Sequence, residues 1–372
     1  MSEPISRPAL TPGRPHAEVI SQPYPRHAAW QAVAHWYHCA FTGIILSATL
    51  RQGVARAAEL VHEVFSRQRQ ERFLPGLAKL GLNGLPHAVA AAQYHYLSNH
   101  IGGVSVQFMP ESDRKAWVRY PPPRWVWSGT ALCAVPTEVS RAMMTGWHAQ
   151  NGVSLGNPRL GFVCTGQTTD GDPGLEGYYL ECDRDLAPHE RLRFARGEKA
   201  PEFDPALAPQ LPTLTWPQER LARAHRNYAM EYLRTCLPAA IDLWGAEQAE
   251  PFLRLSLKLV GMQHYHQTRE ALGLDATDTT PEGFAVFLQQ LIEAQGDAVD
   301  RLAPDADGLG LRQTGWRLMD DVPSLHPSVA LAFDGLLQGA LAAHNHRLSL
   351  HSHIRRQAQG TCFEWRIRAT DP

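Results

Sequence analysis

Long apolar runs are missing from this sequence. The most apolar stretch, CAFTGIILSATL, is too short and too interrupted to cross a bilayer. Paired cysteines are missing as well: Cys39, Cys133, Cys164, Cys182, Cys236 and Cys362 stand without a CxxC spacing. That scatter speaks against a zinc ribbon, a thioredoxin-type motif or a disulfide scaffold, and it fits a reducing cytoplasm. Neither sign of charge is in excess, with 35 Lys plus Arg against 37 Asp plus Glu and a net charge of −2. Nothing here offers an electrostatic footprint for nucleic acid or an anionic membrane, so neither is expected as a partner. Nucleophile elbow, phosphate loop and dinucleotide fingerprint are all absent. The proline-rich residues 1–25 lack the apolar run of a signal peptide and read as a surface arm, so export is not expected.

What is present suffices for a substantial core: 372 residues, 44% of them hydrophobic. The order of segments suggests a duplication. In residues 26–194, a helical stretch from Ala28 to about Ser66 precedes a helix over Pro86–His100 that ends at Gly102-Gly103. VSVQF and KAWVRY flank a hairpin turn, TEVSRAMMTGWHAQNG opens another helix, and RLGFVCT with EGYYLECD forms a closing hairpin. Residues 217–372 repeat the plan, with helical text from Pro217 to Leu272, a helix from Thr280, strand-like LGLRQTGWRLM, the helix HPSVALAFDGLLQGALAAH and the hairpin RLSLHSHIRR with TCFEWRIR. Gly177 and Glu181 match Gly360 and Glu364 as G-x-x-apolar-E, and residues 195–216 form a proline-rich linker. An α+β pseudo-dimer follows, with the helices of each half packed on one face of a small antiparallel sheet.

Candidate chemistry gathers on histidines and glutamates. On the first helix, Trp30, Val33, Tyr37, Phe41, Ile44 and Ala48 form a core stripe, and Gln31, His35, His38, Thr42 and Thr49 a polar strip beside it. Apolar residues bound that strip, which suits either a cavity lining or a contact between halves. His95, with Asn99 one turn on, could face a pocket. Glu181 and Glu364 sit on otherwise apolar closing strands, where a carboxylate could serve as acid or base or simply pair with an arginine. Cys39 and Cys362 are nucleophiles only if an imidazole activates them.

The segment HNHRLSLHSH holds four histidines in ten positions. Strand alternation puts Arg347, His351, His353 and Arg355 on one polar face. The arginines repel a dication and suit a carboxylate or carbonyl, so these four residues are expected to bind ligand rather than metal. His264 and His266, two apart on a helix, point to different faces and cannot share one ion.

The closing strand GTCFEWRIR resembles the ending of L-2-amino-thiazoline-4-carboxylate hydrolase-like and 4-vinyl reductase-type domains, through Gly360, Cys362, Trp365 and Arg366. It departs from their pattern in the extra residue of Phe363-Glu364, and the first half keeps Cys182 on the other side of its glutamate. The resemblance implies an α+β ligand-binding fold and either hydrolysis of a small nitrogen heterocycle or sensing of a small molecule.

Three readings follow. The leading one is a cytoplasmic hydrolase of a C–N bond in a small-molecule substrate, without cofactor, using His35, His38, Glu181 and Glu364 for acid–base chemistry, with Gln31, Thr42, His95, Arg347, His351, His353 and Arg355 around the substrate. The second is a non-catalytic small-molecule binding or sensor protein. The third is a metal-dependent oxygenase or hydrolase with the metal on His351 and His353. A homo-oligomer is compatible with all three.

Overall fold

Gly53 and Gly245 break the chain at matching points. Both adopt a positive φ, 90° and 75°, in a backbone conformation that residues with a Cβ rarely enter. A Cβ at either would meet no atom within 4 Å, so glycine serves the backbone there and not the space around it. Each helical stretch that reads as continuous in the sequence is therefore two helices.

The computed structural model describes residues 26–122, 135–305, 308–357 and 360–370. In the first half α1 (Arg26–Arg51), α2 (Val54–Lys79) and α3 (His87–Ile101) precede the hairpin β1 (Gln107–Ser112) and β2 (Lys115–Tyr120). Then come α4 (Thr137–Gly146), a 3₁₀ turn over His148–Gln150, the single turn α5 (Asn151–Ser154), and strands β3 (Leu160–Gly166), β4 (Leu175–Glu181) and β5 (Leu192–Phe194). The second half runs α6 (Gln218–Trp244), α7 (Ala246–Ala271), α8 (Pro281–Gln295), β6 (Ala298–Asp305), β7 (Gly308–Thr314), α9 (Pro327–His344), β8 (Leu348–Gln357) and β9 (Gly360–Ala369). The α+β class is established by this order. No described helix is long and apolar enough to cross a membrane.

The first two helices of each half are spaced alike. The same spacing, 192 residues, separates Arg26 from Gln218, Val54 from Ala246 and Gly53 from Gly245. The sheets run β1-β2-β4-β3-β5 and β6-β7-β9-β8, all antiparallel except that β5 joins β3 in parallel. Register, however, corrects the repeat motif expected from sequence. Arg119 on β2 pairs with Glu176 on β4, as Arg312 on β7 pairs with Glu364 on β9. Glu364 therefore corresponds to Glu176. Glu181 instead faces Leu160 at the open end of its hairpin, Gly177 lies inside β4, and Gly360 begins β9 opposite Gln357.

The first helix of each half reaches across to the other half. Helix α1 packs mainly on α6 and α7 and also on α2 and α8, and α6 packs on α1, α2 and α7 and also on α3. One hydrophobic core accordingly contains residues of both halves, from Trp36 and Tyr37 to Phe284 and Trp365. Within each half the second helix carries the fourth at close range through glycine. A Cβ on Gly146 would come within 2.6 Å of the His62 carbonyl oxygen, and one on Gly339 would overlap the Lys258 carbonyl.

The start of the proline-rich linker lies against the first sheet. Ala195, Ala200 and Phe203 pack on Met109, Trp117, Val163 and Tyr178, covering the outer face of the first sheet. Every residue of β3 is consequently buried, whereas β8 keeps the alternation of a one-sided strand.

Candidate functional site

A cleft of about 370 Å³ opens between α2, α3 and α6. Phe65, Tyr94, Trp147, Tyr228 and Tyr232 supply aromatic walls, and Trp216 stands at the edge under the cations of Lys79 (5.3 Å) and Arg220 (4.1 Å). Two glycines let the tyrosines lie against helical backbone. A Cβ on Gly76 would meet the Tyr94 ring at 2.5 Å, and one on Gly102 the Tyr228 ring at 2.5 Å. Burial pushes the Tyr94 hydroxyl well above its usual pKa, so it is a neutral donor.

The polar groups converge at one end. His95 from α3 and His148 from the 3₁₀ turn stack with centroids 4.2 Å apart, and both line the cleft. Asn151 Nδ2 donates to His95 Nε2 (2.9 Å) and to the Tyr179 hydroxyl (3.0 Å). His95 Nε2 is thus the acceptor nitrogen, and Nδ1 donates to the Tyr120 hydroxyl at 3.3 Å. The Tyr179 hydroxyl donates to His148 Nδ1 at 2.6 Å. A second relay fixes the backbone around them: Tyr232 donates to Tyr228 (3.3 Å), Tyr228 to Asn99 Oδ1 (3.0 Å), and Asn99 Nδ2 to the His95 carbonyl (2.7 Å). The network exists because β2 and β4 turn Tyr120 and Tyr179 inward under α3.

At the mouth, Arg72 Nη2 lies 2.8 Å from Glu231, which also receives Arg234 at 3.2 Å. Glu71 lies 4.0 Å from Arg72. Cations and anions balance there.

Of the residues singled out from sequence, His95 lines the cleft. So does Asn99, one turn on. The other candidates lie elsewhere. The polar strip on α1 faces the contact between halves and divides there. His38 meets Tyr232 (5.7 Å), Tyr228 (6.4 Å) and His225 (6.1 Å), behind the cleft wall. His35 turns to α7, where its Nε2 is 3.1 Å from Gln267 Oε1 and its ring is 5.8 Å from His264. Gln31 is exposed and Thr42 half-buried. Glu181 accepts from Arg159 (2.6 Å) and Asn157 (2.9 Å), and Glu364 from Arg312 (2.9 Å), so both are held in strand-edge or strand-face pairs and neither joins a histidine of α1. His351, His353, Arg347 and Arg355 lie on the exposed face of the second sheet and none lines the cleft. The strand carrying the family resemblance, with Gly360, Cys362, Trp365 and Arg366, is likewise away from it.

Cys39 has an imidazole nearby, His35 Nε2 at 3.4 Å. Burial nevertheless pushes its thiol up to about 12, so it is no thiolate nucleophile at neutral pH. The described cysteines, Cys39, Cys164, Cys182, Cys236 and Cys362, are all free thiols, and Cys133 lies outside the described residues.

Sequence reasoning missed His148, Tyr179, Asn151 and Tyr120. A signal existed for the tyrosines: strand alternation puts Tyr179 opposite Tyr178, on the face turned to the helices. Nothing in the spacing brings Asn151 to His95, because that approach depends on how α3 lies over the sheet. Comparison with protein-family models, curated proteins and solved structures gives no match, so side-chain arrangement is the ground for any functional reading.

Proposed function

We propose that the protein binds a small, flat, partly aromatic molecule in the cleft between α2, α3 and α6, with the ligand's polar end turned to His95, His148 and Asn99. The lining carries this reading: aromatic walls on several sides and hydrogen-bonding groups gathered at one end. Small-molecule sites are built this way, in cavities of roughly 300–1,000 Å³. The paired charges of Arg72 and Glu231 suit a neutral or zwitterionic molecule better than a polyanion. Binding is favoured over turnover because both ring nitrogens of His95 are already engaged, by Tyr120 and Asn151.

Hydrolysis of a C–N bond, which the closing-strand resemblance implies, remains a second reading. Two imidazoles at the polar end of the cleft favour it.

One experiment addresses both. A panel of aromatic and heteroaromatic amides, lactams and thiazolines is screened by thermal shift, and each mixture is then analysed for products. A ligand at a hundred times its Kd stabilises the fold by about 2.7 kcal/mol. Ligands that stabilise the natural chain should fail with Ser98→Trp, which fills the cleft from α3. Equal stabilisation of that variant would remove the cleft from the argument, and product formation that depends on His148 would move the reading from binding to hydrolysis.

A further inference from the structure

His35 and Cys39 lie one turn apart on α1, and His264 reaches them from α7. One ligand atom from each lies within 4.8 Å of the others, and among the described residues no other group of three histidine, cysteine or acidic side chains is spaced for a metal ion. We infer that these three side chains form a binding site for a divalent transition-metal ion of the zinc class, joining the first half of the chain to the second.

The distances fit that chemistry. Tetrahedral zinc holds sulfur at about 2.3 Å and imidazole nitrogen at about 2.0 Å, which sets sulfur and nitrogen about 3.5 Å apart. Cys39 Sγ and His35 Nε2 stand 3.4 Å apart without any metal. The His264 ring presents its edge to the His35 ring, with centroids 5.8 Å apart and planes at 81°, so a small rotation brings both nitrogens toward one point. Gln267 Oε1, 3.1 Å from His35 Nε2, supplies a fourth oxygen or yields that position to water. One thiol and two imidazoles select zinc, cobalt or copper over magnesium or calcium, which take oxygen ligands. Binding replaces the proton on Cys39 Sγ by the metal ion and releases it to solvent. His35 is exposed, which leaves the ion a way in.

The place is also distinctive in the fold. At the 192-residue spacing of the helices, His35, Cys39 and His264 correspond to Asn227, Glu231 and Arg72, the residues at the mouth of the cleft. The two halves thus put an ion pair and a metal-type donor set at equivalent crossings of a first helix over the second helix of the other half. The metal site does not depend on what the cleft binds.

The test uses the full chain, stripped with chelator and titrated with zinc chloride alone by calorimetry, then with cobalt chloride by absorption spectroscopy. One equivalent of zinc should bind, cobalt should show a thiolate-to-metal charge-transfer band, and zinc should raise the melting temperature. His264→Ala and Cys39→Ser should each weaken zinc binding by at least about tenfold. His35→Gln, at an exposed position, does the same in a variant whose fold is not at risk. His266→Ala, on the opposite side of α7, should leave binding unchanged. No zinc uptake, a cobalt complex without the thiolate band, or an affinity in the His35 and His264 variants equal to that of the natural chain would each overturn the assignment.

Discussion

His95 and His148 come from separate elements, yet their rings stack at 4.2 Å because one asparagine and one tyrosine hold them from below. The Tyr179 hydroxyl is central to this arrangement, since it accepts from Asn151 and donates to His148. Tyr179→Phe keeps the ring and its packing but removes the hydroxyl that donates to His148 Nδ1 and accepts from Asn151 Nδ2. The cost should be about 1–3 kcal/mol of unfolding free energy, measured by urea denaturation. Tyr178→Phe is the matched control, because that hydroxyl points to the other face and bonds exposed Glu198 at 3.0 Å; it should cost less than about 1 kcal/mol. Equal costs for the two would mean that the network under the histidines contributes nothing.

A glycine in a helix interior is normally improved by alanine, by about 1 kcal/mol. Gly339 should show the opposite. It lies on α9 against the backbone of α7, where a Cβ would overlap the Lys258 carbonyl, and Gly335 and Gly261 are placed similarly against Arg254 and Leu336. The helices must separate to admit the methyl group, so Gly339→Ala should destabilise by roughly 1–3 kcal/mol. A rise in the urea midpoint of that variant would show that α7 and α9 are not in backbone contact.

Glu364 looked like an acid or base from its strand, and its surroundings assign it a smaller role. It pairs with Arg312 at 2.9 Å, and the arginine side chain is 45% exposed. Exposed pairs of this kind contribute about 0–1 kcal/mol. Glu364→Gln should therefore change stability by less than about 1 kcal/mol and leave ligand binding in the cleft as it was. A loss of binding in Glu364→Gln would place this strand in the functional site after all.

Helix and strand identity were largely legible, because periodicity and punctuation are local properties. Pro86 and Gly102 bracket α3 as expected, and Thr280 caps α8 by accepting from the Gly283 amide at 3.1 Å. The breaks at Gly53 and Gly245 were less visible, since an isolated glycine in a helical pattern is usually tolerated. Strand β6 was overlooked because VDRLAPD shows little alternation. The similar order of elements in the two halves was legible, but the register was not: a short G-x-x-apolar-E match aligned Glu364 with Glu181, whereas in the hydrogen-bonded ladders it is Glu176, opposite Arg119, that stands as Glu364 does opposite Arg312. The site was hardest to see. His38 and His35 leave the same helix toward different partners, and which neighbour each meets is decided by the reach of α1 and α6 across to the other half, a long-range arrangement that no local spacing encodes.

Acid should destabilise the fold through a histidine outside the cleft. His344, at the end of α9, donates from Nε2 to the Thr280 carbonyl (2.8 Å) and accepts at Nδ1 from Tyr265 (2.6 Å), so its neutral form fits both neighbours. Burial lowers its pKa below the ordinary 6.5, and nearby Arg269 adds to the effect. In the unfolded chain the same ring takes up a proton near pH 6.5, so its contribution to stability is complete above that pH and is lost as pH falls below it. His225 and His264, also lowered by burial, act in the same direction. Asp297 and Asp334 act in the opposite sense: burial raises their pKa values, and what they contribute is present in acid and lost as pH rises. The comparison that isolates His344 is therefore between the natural chain and His344→Gln, with urea midpoints taken at several values from about pH 7.5 to about pH 5.5. The natural chain should lose more stability over that interval than the variant does. Parallel curves would show that His344 titrates alike in the folded and unfolded chains, and would remove it as a source of acid sensitivity.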